Sequence, residues 1–360
     1  MSEPLKTPLY DAHVEAGGRM VEFAGYMMPV QYTTGVIAES KAVRDGAGMF
    51  DVSHMARLDL HGDRVIEYLE WVTTNDVSKL KDGHGQYSLL PNARGGLVDD
   101  IIVYRIDSHN AKMVVNASNH AKDVSHMQSQ NRFDVQVKDI TDGTAMIAVQ
   151  GPHATDLVVN ISDKPFELSA VRAFSVVDVR VGGVHCFAAR SGYTGEDGYE
   201  LVCPAHDAVR LWHALQKAGV VPCGLGARDT LRVEAGLPLY GHELTDDLSP
   251  IAAGLGWVIS KTKEFLGSGP IKEARKTGTP TKLQGVLLEG KRLPLPGMTV
   301  KVDGRAVGSV SSGVYSPLLE KGIAFAFIDA TIPQETDCTV DIRGKDEPAR
   351  IVNKRFFKRI

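Results

Sequence analysis

The sequence predicts an α+β protein that is rich in strands and ends in an all-β lobe. Three observations predict this class. The 360 residues include 36 glycines, many short segments alternate apolar and polar residues as half-buried strands do, and the regular strand–helix rhythm of a doubly wound fold is absent. A chain of this length has room for two or three domains and can bury a large core without disulfide or metal support.

The first part of the chain predicts mixed helices and strands. One helix is expected after Thr33 and Thr34, which are suited to N-capping, and it should end at Gly46. Further helices are predicted over residues 64–72 and 119–128. Strands are predicted over residues 57–60, 87–90, 97–106 and 112–116.

The remainder of the chain continues this pattern and then becomes all-β. Strands are predicted over residues 144–150, 176–181, 184–189 and 199–203, and helices over residues 205–218 and 227–235. Residues 261–281 contain many Gly, Ser and Lys and predict a linker. Short strands over residues 283–288, 308–312, 322–328, 339–342 and 349–352 predict a small β-barrel or jelly roll.

Composition excludes several classes of protein. The 40 Lys and Arg against 44 Asp and Glu give a net charge of −4, so the basic stripe of a nucleic-acid binder is not expected. No apolar run approaches the ~20 residues that a membrane span needs, and the polar N-terminus does not predict a signal peptide. The four cysteines are scattered without zinc spacing, which predicts reduced thiols and no metal site. We expect a cytoplasmic protein, or one in an organelle after removal of a leader.

Two adjacent acids interrupt the apolar segment GGLVDDIIVY at residues 95–104. Successive side chains of a strand point to opposite faces, so Asp99 and Asp100 cannot share one environment. We expect one acid to face solvent or a turn and the other to share a face with Val98, Ile102 and Tyr104, where a carboxylate among apolar neighbours needs a partner or a substrate. The alternative is a β-bulge with both acids in solvent.

A glycine-rich segment, RSGYTGEDGYE, occupies residues 190–200. It is not a dinucleotide fingerprint because a strand, and not a helix, follows it. Its glycines allow another group to approach the backbone closely. Glu200 falls in the second strand, where an inward carboxylate can accept two hydrogen bonds from a planar pair of N–H donors. The alternative is a solvated glutamate on an edge strand.

A third segment, GLGARDTLRVEAG at residues 224–236, predicts a helix with Arg228 in its first turn. A cation there opposes the helix dipole, which predicts an anion held by the guanidinium and by backbone N–H groups. Arg232 lies one turn later, and an internal ion pair between Arg232 and Asp229 is the alternative or additional interpretation.

Other catalytic signatures are absent from the sequence. There is no GxSxG elbow, no HExxH pair and no P-loop. His54 is predicted to be a hydrogen-bonded structural histidine in preference to a catalytic base.

Together these segments resemble the aminomethyltransferase (T-protein) family of the glycine cleavage system. The resemblance covers nearly the whole chain. It is carried by TPLY (7–10), FAGYMMP (23–29), FDVSHM (50–55), GGLVDD (95–100), GYTGEDGYE (192–200), GLGARDTLRVEAGLPLYGHEL (224–244) and SSGVYSP (311–317). Ser191 stands where the family usually has Thr.

The resemblance implies a three-lobed cloverleaf of antiparallel-sheet domains around a central folate channel, with a C-terminal β-barrel or jelly roll. The folate-binding domain would comprise residues 1–50 and 138–260. An inserted α+β domain would comprise residues 51–137, and the barrel residues 275–360.

The implied reaction moves a one-carbon unit from the aminomethyl-lipoyl arm of H-protein to tetrahydrofolate. The products would be 5,10-methylenetetrahydrofolate and ammonia, and no metal would be needed. H-protein would bind transiently, with Arg292 and the basic tail at residues 354–359 as docking candidates unless that tail is simply solvated. One alternative is a tetrahydrofolate-dependent demethylase of a methyl sulfonium or methyl ether. Non-catalytic folate-binding relatives carry a cysteine in the glycine-rich motif that this chain lacks.

The resemblance also implies the site residues. Asp100 would be the catalytic carboxylate, and the choice of Asp100 over Asp99 comes from the resemblance alone. Glu200 would hold the pterin, Arg228 would lie at the substrate site, and Met55 would form an apolar wall. Tyr193 and Tyr87 would line the folate site.

Overall fold

The computed structural model describes residues 3–359. The chain divides into two compact units. The first consists of the residues up to 88 together with residues 101–228, and the second consists of residues 89–100 and those from 229 onward. The predicted α+β class is confirmed. The predicted division into three domains is a different partition and stays a prediction.

The strands follow the predicted segments closely and add several short ones. They are β1 Leu5–Lys6, β2 Arg19–Phe23, β3 Tyr26–Gln31, β4 Gly48–Asp51, β5 Ala56–His61, β6 His84–Pro91, β7 Leu97–Arg105, β8 Asn110–Val115, β9 Gln136–Asp139, β10 Thr144–Gln150, β11 Val176–Val181, β12 Val184–Ala189, β13 Gly198–Pro204, β14 Val221–Pro222, β15 Thr281–Leu288, β16 Thr299–Val302, β17 Arg305–Ser316, β18 Lys321–Asp329, β19 Asp337–Ile342 and β20 Lys345–Val352.

The helices alternate with these strands. They are α1 Tyr10–Glu15, α2 Gly35–Asp45, α3 Val65–Val72, α4 His120–Ser129, α5 Ala154–Asn160, α6 Pro165–Ala170, α7 Ala208–Lys217, α8 Leu225–Ala235 and α9 Ser268–Thr277. Helix α2 has Thr34 at its N-cap, but the expected side-chain cap bond is not formed, and it ends at Gly46 as predicted. No helix in the described part of the chain is long and apolar enough to span a bilayer.

The first unit contains a six-stranded sheet in the order β11-β12-β13-β10-β4-β14. Its strands are antiparallel except for the short β14, which pairs in parallel with β4. The buried apolar side chains of β10, β12 and β13 pack with those of α7, where Ala208, Leu211, Trp212 and Leu215 form one stripe at helical spacing. This core carries β13, and with it Glu200.

Strands β5 to β9 form a five-stranded sheet in the order β6-β7-β8-β5-β9. Helix α3 buries Val65, Tyr68, Leu69 and Val72, which recur at the i, i+3, i+4, i+7 spacing of an amphipathic helix. Three short N-terminal strands form a separate sheet in the order β1-β3-β2.

The second unit contains the predicted C-terminal barrel. Strands β15 to β20 close into a barrel in the order β15-β18-β17-β16-β19-β20, so the barrel alternative, and not the jelly roll, is confirmed. Its interior is filled by aliphatic side chains such as Val286, Val340 and Ile351, all fully buried. Closure pairs every strand on both sides and leaves no exposed sheet edge.

Residues 261–281 are not the predicted linker. They contain α9, which buries Ile271 and is bounded by Gly267 and Gly278, both with positive φ. The glycines that suggested flexibility are the residues that delimit the helix, since glycine takes left-handed backbone conformations without strain. The sequence also did not predict helices α1, α5 and α6 or strands β1 to β4, β9, β14 and β16.

Candidate active site

Glu200 lies inside the six-stranded sheet. Its strand, β13, is paired on both sides, so that Glu200 is opposite Ala189 on β12 and Ala148 on β10. The residue is only 6% exposed. The edge-strand alternative is therefore wrong. Burial raises the pKa of the carboxyl group, while a hydrogen bond from Ser191 and the positive charge of Arg228 oppose this effect.

The loop before β13 is folded around the buried side chain of Gln150. Gln150 Nε2 donates to the carbonyl of Ser191 at 3.0 Å, and Gln150 Oε1 accepts from the hydroxyl of Thr194 at 2.9 Å. A Cβ on Gly192 would lie 1.8 Å from Gln150 Oε1. The close approach predicted from the glycines is therefore made, at this position, by the chain's own glutamine.

Two arginines hold the same loop from its other side. Arg44 NH1 donates to the carbonyl of Thr194 at 2.8 Å and to Glu196 Oε1 at 2.9 Å, and this ion pair is nearly buried. Arg190 and Asp197 form a bidentate pair with N–O distances of 3.1 and 2.6 Å. A planar, doubly bonded pair is geometrically specific, so the loop is held in one shape.

Arg228 reaches this loop from the first turn of α8. Its guanidinium carbon lies 4.8 Å from the centre of the Tyr193 ring, a cation–π contact. Burial lowers the pKa of Arg228, and the carboxylate of Glu200 opposes that shift. Among the described residues the buried NH1 atom has no hydrogen-bond partner. The structure therefore brings Tyr193, Glu200 and Arg228 together and leaves one donor available to a ligand.

The N-terminus of α8 already has an anionic partner within the chain. The fully buried Glu39 accepts a hydrogen bond from the backbone N–H of Gly224 at 2.8 Å and from that of Tyr32 at 2.6 Å. One of the N–H groups expected to hold a bound anion is therefore occupied by Glu39, which the sequence did not single out.

His54 is buried but is not the hydrogen-bonded histidine that we expected. It is 2% exposed, and its ring meets Phe23 edge-on at 5.7 Å. Nδ1 has no hydrogen-bond partner among the described residues. Burial, together with the positive charges of Arg228 and Arg57, lowers its pKa to about 4, although the negative charge of Asp51 opposes the shift. His54 is therefore neutral near pH 7 and lies within the electrostatic range of Arg228.

A fully bonded network lies next to His54 in sequence. The buried Asp51 accepts from Thr7 Oγ1 at 2.7 Å and from His13 Nε2 at 3.0 Å, and the hydroxyl of Tyr32 lies 2.8 Å from His13 Nδ1. These hydrogen bonds keep the pKa of Asp51 at about 2 despite its burial. Every member has a partner, so the network stabilises the first unit and offers no atom to a ligand.

The two adjacent acids lie in β7 and differ in exposure. Asp99 is fully buried and Asp100 is half-buried. The alternative with both acids in solvent is therefore wrong. The acid on the face of Val98 and Ile102, Asp100, is the more exposed of the two, whereas the apolar neighbours were expected to bury it. The start of β7 is held by Tyr240, whose hydroxyl donates to the carbonyl of Leu97 at 2.9 Å and lies 3.0 Å from Asp246 Oδ2.

Tyr87 lies in β6 and Met55 lies in the turn before β5, and both are half-buried. Their part in ligand binding stays a prediction.

The predicted ion pair between Arg232 and Asp229 is confirmed at 2.8 Å. The cysteines are buried free thiols, as expected. Across residues 3–359, no cluster of three or more His, Cys, Asp or Glu side chains is arranged to hold a metal ion.

Comparisons with known proteins match nearly the whole chain. The GCVT N-terminal domain model matches residues 9–263, and the glycine cleavage T-protein C-terminal barrel domain model matches residues 282–358. An aminomethyltransferase of Thermus thermophilus is 47% identical over 96% of this chain and 97% of the relative. One from Bacillus subtilis is 40% identical over 98% and 99% of the two chains.

A solved structure agrees with these relatives. The crystal structure of glycine cleavage system aminomethyltransferase T from Bartonella henselae matches with a TM-score of 0.91 and 30% identity, over 98% of each chain. The relatives named above are aminomethyltransferases, which does not favour the demethylase alternative. The chain therefore belongs to the glycine cleavage T-protein family of aminomethyltransferases.

Proposed function

We propose that this protein transfers the one-carbon unit of the aminomethyl-lipoyl arm of H-protein to tetrahydrofolate, with release of ammonia. The observation that carries the proposal is the convergence of Tyr193, Glu200 and Arg228 on one place in the first unit. These residues come from two separate sequence segments. In a chain that matches the family over its full length, such a cluster is best explained as a binding site for the acceptor.

The chemistry of this cluster fits a reduced folate. A pterin ring carries a planar set of N–H donors, and the buried carboxylate of Glu200 is a matching acceptor. The NH1 atom of Arg228 is a buried donor that requires an acceptor, and the ring heteroatoms of the folate can provide one. Tyr193 offers an aromatic face. Bound tetrahydrofolate would supply the amine nitrogens that receive the carbon.

We assign the catalytic carboxylate to Asp100. Its half-buried position in β7 is compatible with contact to a bound substrate. There an ionised carboxylate would orient the reacting amine and stabilise the positive charge that develops on the transferred carbon. Asp99 is fully buried, which favours a structural role for it. Tyr87 and Met55 would complete the wall of the site.

The partner would be the lipoylated H-protein, bound transiently and electrostatically. Two of the expected docking residues, Arg292 and Lys354, already have partners within the chain. Arg292 is paired with Glu347 at 3.1 Å, and Lys354 Nζ donates to the carbonyl of Ala253 at 3.2 Å. Burial also lowers the pKa of Lys354 to about 8. Exposed Lys358 is therefore a better candidate than Lys354 for contact with an acidic partner.

The direct test mixes the protein with aminomethyl-loaded H-protein and measures ammonia with and without tetrahydrofolate. We expect rapid ammonia release that depends on tetrahydrofolate, together with formation of 5,10-methylenetetrahydrofolate. The matched comparison offers dimethylsulfoniopropionate or a methoxyarene as the methyl donor. Turnover with a methyl donor and none with loaded H-protein would reject the proposal and support a demethylase.

A further inference from the structure

Two hydroxyl groups in series reach the carboxylate of Glu200. The hydroxyl of Tyr104, on β7, lies 3.0 Å from Ser191 Oγ. Ser191 Oγ in turn donates a hydrogen bond to Glu200 Oε2. Within residues 3–359, Ser191 is the donor that hydrogen-bonds to this carboxylate. The second oxygen, Oε1, is left to a ligand.

The direction of this hydroxyl chain follows from counting protons. An ionised carboxylate only accepts, and a serine hydroxyl has one proton to donate. Ser191 uses its one hydroxyl hydrogen in the hydrogen bond to Glu200. The hydroxyl of Tyr104 must therefore be the donor in its hydrogen bond with Ser191. Burial raises the pKa of Tyr104 far above its usual value, so the phenol retains the proton that this arrangement requires.

The core fixes the first member of the chain. Tyr104 is 1% exposed, and its ring meets Phe187 edge-on at 5.8 Å. On its other side the ring touches Gly85, where an added Cβ would lie 2.3 Å from Tyr104 Cδ1. The position of the Tyr104 hydroxyl is therefore set by packing and does not depend on a ligand.

The backbone fixes the second member. The carbonyl of Ser191 accepts from Gln150 Nε2 at 3.0 Å, and the adjacent Gly192 packs directly on the Gln150 side chain. Ser191 is thus held through its carbonyl by β10 and through its hydroxyl by Tyr104 and Glu200. Such a chain of buried hydrogen bonds is stronger as a unit than its separate members.

We propose that Ser191 and Tyr104 are positioning residues, which hold the Glu200 carboxylate in the orientation that receives the N–H donors of the folate ring. This inference rests on the proposed function, because it takes the ligand of Glu200 to be a reduced folate. Neither hydroxyl need touch the reacting atoms. Threonine at position 191 would keep the hydroxyl and should serve equally well.

The first measurement is tetrahydrofolate affinity in Ser191→Ala, Ser191→Thr and Tyr104→Phe. We expect Ser191→Ala to weaken binding by about 10-fold, since a hydrogen bond to a charged group is lost. Ser191→Thr should restore binding, and Tyr104→Phe should weaken it by about threefold. The kcat at saturating folate should be unchanged in all three, because the hydroxyls act on binding.

Ser175→Ala is the matched control. Ser175 is 8% exposed, and its hydroxyl has no partner among the described residues. Its removal therefore reproduces the loss of a buried hydroxyl without the loss of a hydrogen bond. An equal loss of affinity in Ser175→Ala and Ser191→Ala, or failure of Ser191→Thr to restore binding, would overturn the inference.

The second measurement needs no ligand. The titration of Glu200 in the free protein can be followed by infrared difference spectroscopy, with Glu200→Gln identifying its band. The bond from Ser191 lowers the pKa of Glu200, so Ser191→Ala should move this titration to higher pH. An unchanged titration would overturn the positioning role. Unchanged folate affinity in Glu200→Gln would instead reject the assignment of Glu200 to folate, so the two failures are distinguishable.

Discussion

The guanidinium of Arg228 lies over the ring of Tyr193, 4.8 Å from its centre. This contact joins the first turn of α8 to the glycine-rich loop before β13. It leaves Arg228 NH1 buried and without a partner in the part of the chain that the structure describes. A buried donor in that state is costly unless a ligand completes it. In the proposed function, an acceptor group of the bound folate would complete this donor.

Arg228→Lys should weaken tetrahydrofolate binding by about 10- to 100-fold. An ammonium group cannot match the flat contact of a guanidinium with Tyr193, and it lacks the fork of donors that Arg228 presents. Equilibrium binding measured by fluorescence or calorimetry tests this. Arg275→Lys is the control, since it makes the same exchange at an arginine of the second unit, where the guanidinium donates to the carbonyl groups of Gly256 and Ile259. Equal affinities of Arg228→Lys and the unmodified protein would contradict the assignment.

Asp100→Asn should reduce turnover by about 100- to 10,000-fold, the range typical of a lost general acid–base group. Affinity for tetrahydrofolate should change little, because the carboxylate acts on the developing charge. Ammonia release in a single turnover with loaded H-protein measures this. The matched variant is Asp99→Asn, which should lower stability more than turnover because Asp99 is fully buried. The reverse pattern would move the catalytic role to Asp99.

Glu200→Gln should weaken tetrahydrofolate binding by about 10-fold or more, because a charge-assisted hydrogen bond becomes a neutral one. The kcat at saturating folate should fall far less than in Asp100→Asn. Titration calorimetry with the folate alone separates the two effects. Glu289→Gln, at an exposed carboxylate, should bind folate normally. An affinity loss shared by both variants would point to long-range charge and not to a specific contact.

The strand predictions were correct where the local sequence determines the backbone conformation. Strands β11 and β12 occupy the predicted residues because two segments with strand-like alternation flank Gly182 and Gly183, which both have positive φ. Two such residues are what a tight hairpin turn of matching twist requires. By contrast, the sequence predicts a linker where α9 lies. Glycines that bound a helix and glycines in a flexible loop have the same local sequence pattern.

Prediction of the site was limited in the same way. Alternation along β13 places Glu200 on the face opposite Tyr199 and Leu201, but its burial depends on the pairing of β13 with both β10 and β12, which the sequence does not show. The contact between Arg228 and Tyr193 and the hydrogen bond from Ser191 depend on how the loop folds around Gln150 on another strand. Spacing along the chain holds no information about such long-range packing. The missing partner of His54 Nδ1 could not be predicted for the same reason.

His54 should make stability depend on pH between about 4 and 6.5. Burial lowers the pKa of His54 to about 4 in the folded protein, whereas the unfolded value is 6.5. The unfolded chain therefore binds a proton first as pH falls, and the free energy of unfolding decreases from pH 6.5 towards pH 4. The total effect is about 3 kcal/mol.

Urea unfolding between pH 4.5 and 7.5 measures this dependence, with His54→Gln as the comparison. The glutamine variant should lose the part of the pH dependence that His54 causes, while the other eleven histidines of the twelve in the chain remain. In NMR spectra the His54 ring resonances should not titrate above pH 5. A ring that titrates near pH 6.5 would contradict the assigned environment.

Arg232→Met should lower the free energy of unfolding by about 3–5 kcal/mol. Arg232 is 1% exposed and contacts Glu243 at 3.0 Å and Ser312 at 2.7 Å. Its removal leaves the fully buried Glu243 carboxylate without its cationic partner. The double variant Arg232→Met with Glu243→Gln should be less destabilised than Arg232→Met alone, because the stranded charge is gone. The matched control is Asp229→Asn, which should cost less than 1 kcal/mol of unfolding free energy, since the Asp229 side chain is 46% exposed. Urea unfolding of the three variants gives the comparison. If Arg232→Met is no more destabilised than Asp229→Asn, the buried pair with Glu243 does not stabilise the second unit.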